Sequence, residues 1–122
     1  MKLHASGPSG AQTVTAYGDD YVTVNGVRYE KNIVVRPDRV QPWDAHSFDA
    51  LTEADFSALL QASAEIVILG TGARQRFPHP RLTAPLARAG VGLEVMTLQA
   101  ACRTYNILVA EERKVAAALL FR

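Results

Sequence analysis

The chain has 122 residues, of which 48% are hydrophobic and 20% are charged, which is typical of one folded domain and argues against intrinsic disorder. Its 13 Lys and Arg residues nearly balance its 12 Asp and Glu residues, so the net charge of +1 provides no general attraction to nucleic acids or anionic membranes. One cysteine can form neither an internal disulfide nor a thiolate zinc site. We therefore expect a single domain over residues 1–122.

The N-terminal segment, residues 1–10, contains Gly, Pro and Ser and no apolar run. It predicts a flexible arm, not a signal peptide or a mitochondrial transit peptide. The longest apolar stretches, such as Val115–Phe121, are far shorter than the ~20 residues that a membrane-spanning helix needs. A bacterial, cytoplasmic protein without a membrane span is the expectation.

The first third of the chain predicts β-strands. The predicted strands are Thr13–Tyr17, Tyr21–Val24, Val27–Tyr29 and Asn32–Val35. Between the second and third strands, Asn25-Gly26 is typical of a two-residue hairpin turn, because both residue types accept positive φ. The prolines of residues 36–50 predict an ordered loop there, with Trp43 closing one end of the core.

Helices and strands then alternate. A capping pattern, Thr52-Glu53-Ala54-Asp55, predicts a helix to about Ser63 that buries Phe56, Leu59 and Leu60. The later elements are predicted as a strand at Glu65–Leu69, a helix at Leu82–Ala89, a strand at Gly92–Met96, a helix from the Thr97 cap to about Glu111 and a strand at Lys114–Phe121. This succession indicates an α/β fold, with helices packed on a mixed or parallel sheet.

The turn Gly70-Thr71-Gly72 after a buried strand is a candidate site. It is not a dinucleotide fingerprint, because the third glycine would fall at Gln75 and the later prolines delay the helix. One interpretation is a sharp glycine turn; the other is a backbone-lined pocket. The strand before the glycine turn and the strand before Thr97 are expected to be parallel neighbours. If they are, the glycine turn and Thr97 both lie beyond the carboxyl ends of their strands, where α/β sheets usually bind ligands. The predicted site for a small ligand or anion comprises Gly70, Thr71, Gly72, Thr97, and Arg74 or Arg103 as the neutralising cation.

Charge is unevenly distributed along the chain. Residues 40–65 contain five acids and no Lys or Arg, whereas residues 66–93 contain four arginines and no acid. Three of these arginines, Arg74, Arg76 and Arg81, lie in a proline-rich loop. They form either a solvated face or a basic loop that meets an acidic partner or an anion. RNA is disfavoured as the partner because no aromatic side chains alternate with the arginines in a stacking pattern.

No catalytic, metal or cofactor site is predicted. The three histidines, His4, His46 and His79, are isolated, and no serine stands in a nucleophile-elbow sequence. Cys102 lies on the apolar face of its helix, which favours a buried structural thiol. Glu94, on an expected inner strand, would need an ion-pair partner from the loop arginines or Arg103.

Several runs in the second half together form a recognisable family pattern. They are Ile68–Gly72, Phe77-Pro78, Gly92–Thr97, Ala101–Leu108 and Glu111–Leu119, and the first half adds the hairpin, Arg36-Pro37-Asp38 and Trp43. The pattern resembles a family of small α/β domains of unknown function that includes the mitochondrial respiratory complex I assembly factor 3 and bacterial and archaeal single-domain relatives. Thr104-Tyr105-Asn106 and Glu111–Arg113 are its most specific parts. Glu112 departs from the pattern, since the family commonly has Gly there.

The resemblance implies a three-layer fold, with a mixed five-stranded sheet, one antiparallel strand and a β-ribbon at the side. Lys114–Phe121 is the expected antiparallel strand. It implies no catalytic residues. Two hypotheses follow. One is a non-enzymatic, assembly-factor-like protein that binds a protein partner through the basic loop with Arg74, Arg76 and Arg81 and through the adjacent crevice. The other is a small-molecule or anion-binding protein, which could be an enzyme, with its site at the glycine turn. The oligomeric state is not predicted.

Overall fold

The computed structural model describes residue 3 and residues 10–121. In that part of the chain the elements, in order, are β1 (Val14–Tyr17), β2 (Val22–Val24), β3 (Val27–Tyr29), β4 (Ile33–Arg36), β5 (Arg39–Pro42), α1 (Glu53–Ala58), a 3₁₀ helix (Leu59–Ala62), β6 (Ile66–Thr71), α2 (Pro80–Arg88), β7 (Gly92–Met96), α3 (Leu98–Ala110) and β8 (Val115–Leu120). The arm predicted for residues 1–10 lies largely outside the described residues. Leu3 is described, and its amide donates to the Thr15 carbonyl at 3.0 Å.

A small antiparallel sheet, in the order β1-β2-β3, is formed by the first three strands. Val24 pairs with Val27 across the two-residue turn. Both turn residues have positive φ, 48° at Asn25 and 85° at Gly26, as the tight hairpin turn requires. The hairpin prediction is therefore confirmed.

The central sheet has five strands in the order β5-β4-β8-β6-β7. β8 lies in the middle, parallel to β6 and antiparallel to β4, and β6 is also parallel to β7. Since β5 is antiparallel to β4, only β4 opposes the other four strands. The assignment of Lys114–Phe121 as the antiparallel strand is wrong. The helix α3 carries the chain back across the sheet before β8, and this crossover returns it in the direction of β7.

Residues 36–50 are not wholly a loop, because they include β5, which pairs with β4 from Arg36↔Arg39 to Ile33↔Pro42. This strand was not predicted, because the prolines of the segment are typical of irregular structure. Pro42 is tolerated because it occupies the last position of an edge strand, where a missing N–H group breaks no ladder.

Both faces of the central sheet are covered. On one face Ile33, Val35 and Ile68 join a buried cluster with α3 and the small sheet. On the other, Val34 and Val67 join a cluster with α1, α2 and Trp43. Every residue of β8 is buried, which explains its uninterrupted apolar sequence.

The helix starts follow their local signals. Asp55 N donates to Thr52 Oγ1 and the Asp55 carboxylate accepts from Thr52 N, so the predicted capping box is confirmed. The buried position predicted for Leu60 is wrong, since 37% of it is exposed. After Ala58 the helix tightens to 3₁₀ geometry, which aligns Phe56 with Leu59 and turns Leu60 outward.

None of the described helices is long and apolar enough to cross a membrane.

Candidate functional site

The glycine turn and the start of α3 meet at one edge of the central sheet. β6 and β7 are parallel, with Gly70 in register with Met96, so Gly72 and Thr97 both lie just beyond carboxyl ends. The two segments are joined directly, because Leu98 N donates to the Gly72 carbonyl at 2.8 Å. The parallel arrangement expected for this edge is therefore present.

Two adjoining concavities flank Gly72 and Ala73, and we refer to them together as the Gly72 cleft. The larger, about 630 Å³, is lined by Asp19, Asp20, Thr71, Gly72, Ala73, Arg74, Arg76 and Phe121. The smaller, about 430 Å³, is lined by Tyr17, Gly18, Asp19, Gly72, Ala73, Thr97, Leu98 and Gln99. Of the predicted ligand residues, the fold brings Thr71, Gly72, Arg74 and Thr97 to this cleft.

Gly70 and Arg103 do not line the cleft. Gly70 is buried under α3, where a Cβ atom would lie 3.0 Å from the Ala101 side chain and 3.1 Å from that of Leu119. Its role is to let the helix approach the sheet closely. Gly72 has a φ of 80°, which supports the glycine-turn interpretation at that position. Arg103 is exposed on α3, away from the cleft lining.

Much of the cleft's hydrogen-bonding capacity is used within the protein. Thr71 Oγ1 donates to the Arg74 carbonyl at 2.6 Å and accepts from Arg76 N at 3.1 Å. Thr97 Oγ1 accepts from Ala100 N at 3.2 Å, which confirms its role as a helix cap. The two threonines therefore hold the loop and the helix start in place.

Two carboxylates face this edge that the sequence did not assign to it. Asp19 and Asp20 form the tip of a turn closed by a hydrogen bond from Gly18 N to the Tyr21 carbonyl, 2.9 Å. The position of this turn opposite Gly72 depends on how the small sheet packs against α3. Asp19 and Asp20 line the larger concavity together with Arg74 and Arg76, so carboxylates and guanidinium groups share its wall.

The basic and acidic stretches of the chain meet on the surface. The guanidinium carbon of Arg76 lies 4.4 Å from the centre of the Phe48 ring, and its Nη1 lies 4.0 Å from Asp49 Oδ1. Arg88 Nη2 lies 3.3 Å from Glu53 Oε1. Two arginines of the stretch thus have partners within the protein.

Arg74 and Arg81 differ from these two. Both are exposed, and neither has a carboxylate within 4.0 Å among residues 3 and 10–121. Of the three arginines predicted to bind a partner, Arg76 is therefore committed to Phe48 and Asp49. Arg74 and Arg81 keep their charge available at the surface.

Phe77 is a surface residue that the sequence interpretation missed. It lies between Arg76 and Pro78, and 70% of it is exposed. A single aromatic residue in a polar loop can be buried or exposed, depending on how the loop packs. Its neighbours in the sequence therefore do not predict its exposure. The only hint was its membership of the Phe77-Pro78 pair in the family pattern.

Glu94 has no need of the buried ion pair predicted for it. β7 is an edge strand of the sheet, and Glu94 is exposed on it. The prediction failed because β8, the last strand in the sequence, takes the central place beside β6. A charged residue on an edge strand discourages pairing with another chain.

Cys102 is fully buried, which confirms the structural thiol interpretation. His46 and His79 are both exposed, and His4 lies outside the described residues. Within the described part of the chain, no three His, Cys, Asp or Glu side chains come together as a metal site would require.

Comparison with known proteins matches nearly the whole chain. The family described as "Protein of unknown function (DUF498/DUF598)" matches residues 14–120. The bovine (Bos taurus) NADH dehydrogenase [ubiquinone] 1 alpha subcomplex assembly factor 3 is 32% identical over 112 residues, which are 90% of this chain and 61% of that protein. The chain therefore spans about three-fifths of the length of the first curated relatives that it matches.

Solved structures agree with the fold. A crystal structure of a Bordetella parapertussis protein is 42% identical, with a TM-score of 0.84, and the match covers 93% of this chain and 98% of that one. A solution structure from Bordetella pertussis, described as a Mth938-like domain, is 36% identical, with a TM-score of 0.78, and the match covers 98% of this chain and 92% of that one.

Proposed function

The chain belongs to the DUF498/DUF598 family, and from this membership we propose that it is a non-enzymatic, assembly-factor-like protein that binds a protein partner through the basic loop, Arg74–Arg81, and the adjacent Gly72 cleft. The bovine relative is named as an assembly factor of NADH dehydrogenase. The proposal carries over only the mode of action, which is the binding of another protein. The cytoplasmic location stays a prediction.

The availability of Arg74 and Arg81 is the observation that carries this proposal. Arg76 and Arg88 each have an acidic neighbour, whereas Arg74 and Arg81 are exposed without one in the described part of the chain. Hydrogen bonds of Thr71 hold the start of the loop, so the charges project from a defined backbone. Unpaired charges on an ordered loop favour association with an oppositely charged protein surface.

The test is a paired charge reversal. Arg74→Glu/Arg81→Glu removes the two free cations, and Arg113→Glu/Lys114→Glu is a matched control, because those residues are also exposed and adjoin α3 at its far end. Arg76 is left unchanged, since its guanidinium packs on Phe48. Affinity capture with chemical cross-linking, from an extract of the cells that encode the protein, measures partner recovery at increasing salt.

Partner recovery is expected to fall about tenfold or more for the loop variant, which corresponds to about 1.4 kcal/mol of binding free energy, and to persist for the control. The wild-type complex should also weaken as salt rises, because the attraction is between charges. If the loop variant retained the partner as well as the control variant does, the loop would not be the docking surface.

A small-molecule site in the Gly72 cleft is the second candidate, and its support is the volume of about 630 Å³ beside Thr71, Gly72 and Arg74. A thermal-shift screen with phosphates, nucleotides and carboxylates tests it. We expect no rise in melting temperature with these anions, because Asp19 and Asp20 share the cleft wall. A rise that Arg74→Ala abolishes would favour this candidate, since a ligand of the folded state must stabilise it.

A further inference from the structure

Phe77 is the most exposed of the large apolar residues in the described part of the chain. It is 70% exposed, against 58% for Ile107, 55% for Val27 and 37% for Leu60. It also lies between the two free arginines, three residues after Arg74 and four before Arg81. Aromatic and arginine side chains together are typical of the centre of a protein interface.

The loop that carries Phe77 is fixed at several points. Gln75 Nε2 donates to the Val95 carbonyl at 2.8 Å, and Arg76 packs on Phe48. After Phe77, the chain enters α2 through His79, whose Nδ1 accepts from Arg81 N at 3.0 Å. Pro78 and Pro80 restrict the backbone further. A ring held on such a loop loses little conformational entropy when a partner covers it.

We propose that Phe77 is the apolar anchor of the docking surface, and that its occupant is an acidic amphipathic protein segment. The apolar side of the segment covers the Phe77 ring, and its carboxylates pair with Arg74 and Arg81. This inference rests on the proposed function and adds to it the chemistry of the partner.

The charges around the loop favour a short acidic segment over an extended anionic surface. Asp49 and Glu53 lie beside Arg76 and Arg88, and Asp19 and Asp20 line the neighbouring cleft. A bilayer or a nucleic acid would bring its phosphates against these carboxylates as well as against the arginines. A protein segment with a few well-placed acids contacts only the two free arginines.

Designed peptides of defined chemistry provide the probe. One set is helical and amphipathic, with Leu on one face and Glu on the other, and the matched set carries Gln in place of Glu. Binding to the full chain is measured by fluorescence anisotropy, and the contacted residues are located by amide shift changes in NMR spectra. The Glu peptides should bind, with shift changes centred on residues 74–81, and the Gln peptides should bind about tenfold more weakly or worse.

The variants separate the ring from the charges. Phe77→Ser should weaken peptide binding about tenfold or more, and Phe77→Leu should retain most of it, because leucine keeps an apolar anchor. Ile107→Ser is the control, since Ile107 is a similarly exposed apolar residue on α3. It should leave binding unchanged. Because Phe77 is exposed, its replacement does not empty the core.

The failure of this inference is distinguishable from the failure of the proposed function. Loss of the captured cellular partner with Arg74→Glu/Arg81→Glu, but not with Phe77→Ser, would overturn the anchor and leave the basic loop as the docking surface. Absence of peptide binding overturns the inference. So does dimerisation in sedimentation experiments that Phe77→Ser abolishes, because the occupant would then be a second copy. Binding to phosphatidylserine vesicles in place of the peptides overturns it as well.

Discussion

Asn106 joins the small sheet to α3 through both groups of its side-chain amide. Its Oδ1 accepts from Val14 N at 2.9 Å, and its Nδ2 donates to the Val14 carbonyl at 2.8 Å. The neighbouring Tyr105 hydroxyl donates to the Gln12 carbonyl at 2.7 Å. Asn106 thus satisfies the backbone of β1 much as an adjacent strand would. Tyr105 and Asn106, which belong to the most specific run of the family pattern, therefore have a structural role in this fold.

Replacement of Asn106 should therefore destabilise the protein strongly. Asn106→Ala leaves the buried N–H and carbonyl of Val14 without partners, and we expect a loss of about 2–4 kcal/mol in the free energy of unfolding. Urea denaturation measures it. Arg103→Ala, an exposed change on the same helix, should stay within about 0.5 kcal/mol of wild type. Similar stabilities for the two variants would contradict the role assigned to Asn106.

Cys102 has an unusually weak acidity. Burial raises the pKa of its thiol from 9.0 to about 12, although the nearby Arg103 guanidinium lowers it somewhat. Burial likewise raises the pKa of Tyr105, and the Asp38 carboxylate adds to that effect. The folded protein therefore keeps the Cys102 proton at pH values where the unfolded chain has lost it.

This pKa shift makes stability depend on pH in one direction. Below pH 9.0 the thiol is protonated in both states and costs nothing; between 9.0 and about 12 only the folded state holds the proton, so stability falls with rising pH. The contribution is about 1.4 kcal/mol per pH unit. Cys102→Ala should lose stability less steeply over this range in urea denaturation. Parallel pH profiles for wild type and Cys102→Ala would exclude the shift.

At the scale of elements, the end of α3 shows how a turn is made without glycine. Glu112 N donates to the Val109 carbonyl and Arg113 N to the Leu108 carbonyl, both at 2.9 Å, which is the Schellman pattern. That pattern places Glu112 at a φ of 59°, in the left-handed region. The family's common glycine would meet no strain there, so this chain accepts a local cost at the departure noted in the sequence.

Glu112→Gly should consequently stabilise the protein by about 1 kcal/mol, because it relieves the left-handed strain of a residue with a Cβ atom. Thermal and urea denaturation measure the gain. Glu111→Gly is the matched control, since Glu111 has a φ of −85° and gains nothing from glycine. It should be neutral or mildly destabilising. A loss of stability with Glu112→Gly would mean that the Glu112 side chain makes a compensating interaction.

The elements differ in how far local signals determined them. Asn25-Gly26 and the Thr52 and Thr97 caps act through adjacent backbone, so the hairpin and the starts of α1 and α3 were predictable. β5 was not predicted, because the strand is stabilised by its pairing with β4 and the four residues that form it show no strand pattern of their own. The exposure of Leu60 depends on a change in helical geometry that no residue type announces.

At the scale of the whole molecule, the sheet order determines where the structure is most stable. β8 is bonded to β4 on one side and to β6 on the other, and all of its residues are buried. β7, in contrast, has one bonded neighbour and includes exposed positions. Local opening at the edge breaks fewer contacts than opening in the centre.

Amide hydrogen exchange should reproduce this order. Amides of Val115–Leu120 should exchange only through global unfolding, with protection free energies close to that from urea denaturation. Those of Gly92–Met96 that bond to β6 should exchange by local opening of the edge, with lower protection. NMR or mass spectrometry reports both in one experiment. Equal protection of β7 and β8 would indicate that another surface covers the β7 edge in solution.

The sequence alone determined the hairpin, the helix caps and the buried thiol, because each depends on residue types within a few positions of one another. It also indicated the α/β class and the family, because the order of elements and of short runs along the chain can be read without knowing how they pack. The net charge of +1, in contrast, does not show how the charged residues are arranged in space. Whether the acidic and basic stretches attract a partner or each other depends on contacts between residues far apart in the chain. Only the tertiary structure decided that Arg76 and Arg88 lie beside carboxylates of the same chain, that Asp19 and Asp20 face Gly72, and that Phe77 is exposed. These outcomes follow from the central insertion of β8 and the docking of the small sheet, which are long-range packing choices that no local pattern specifies.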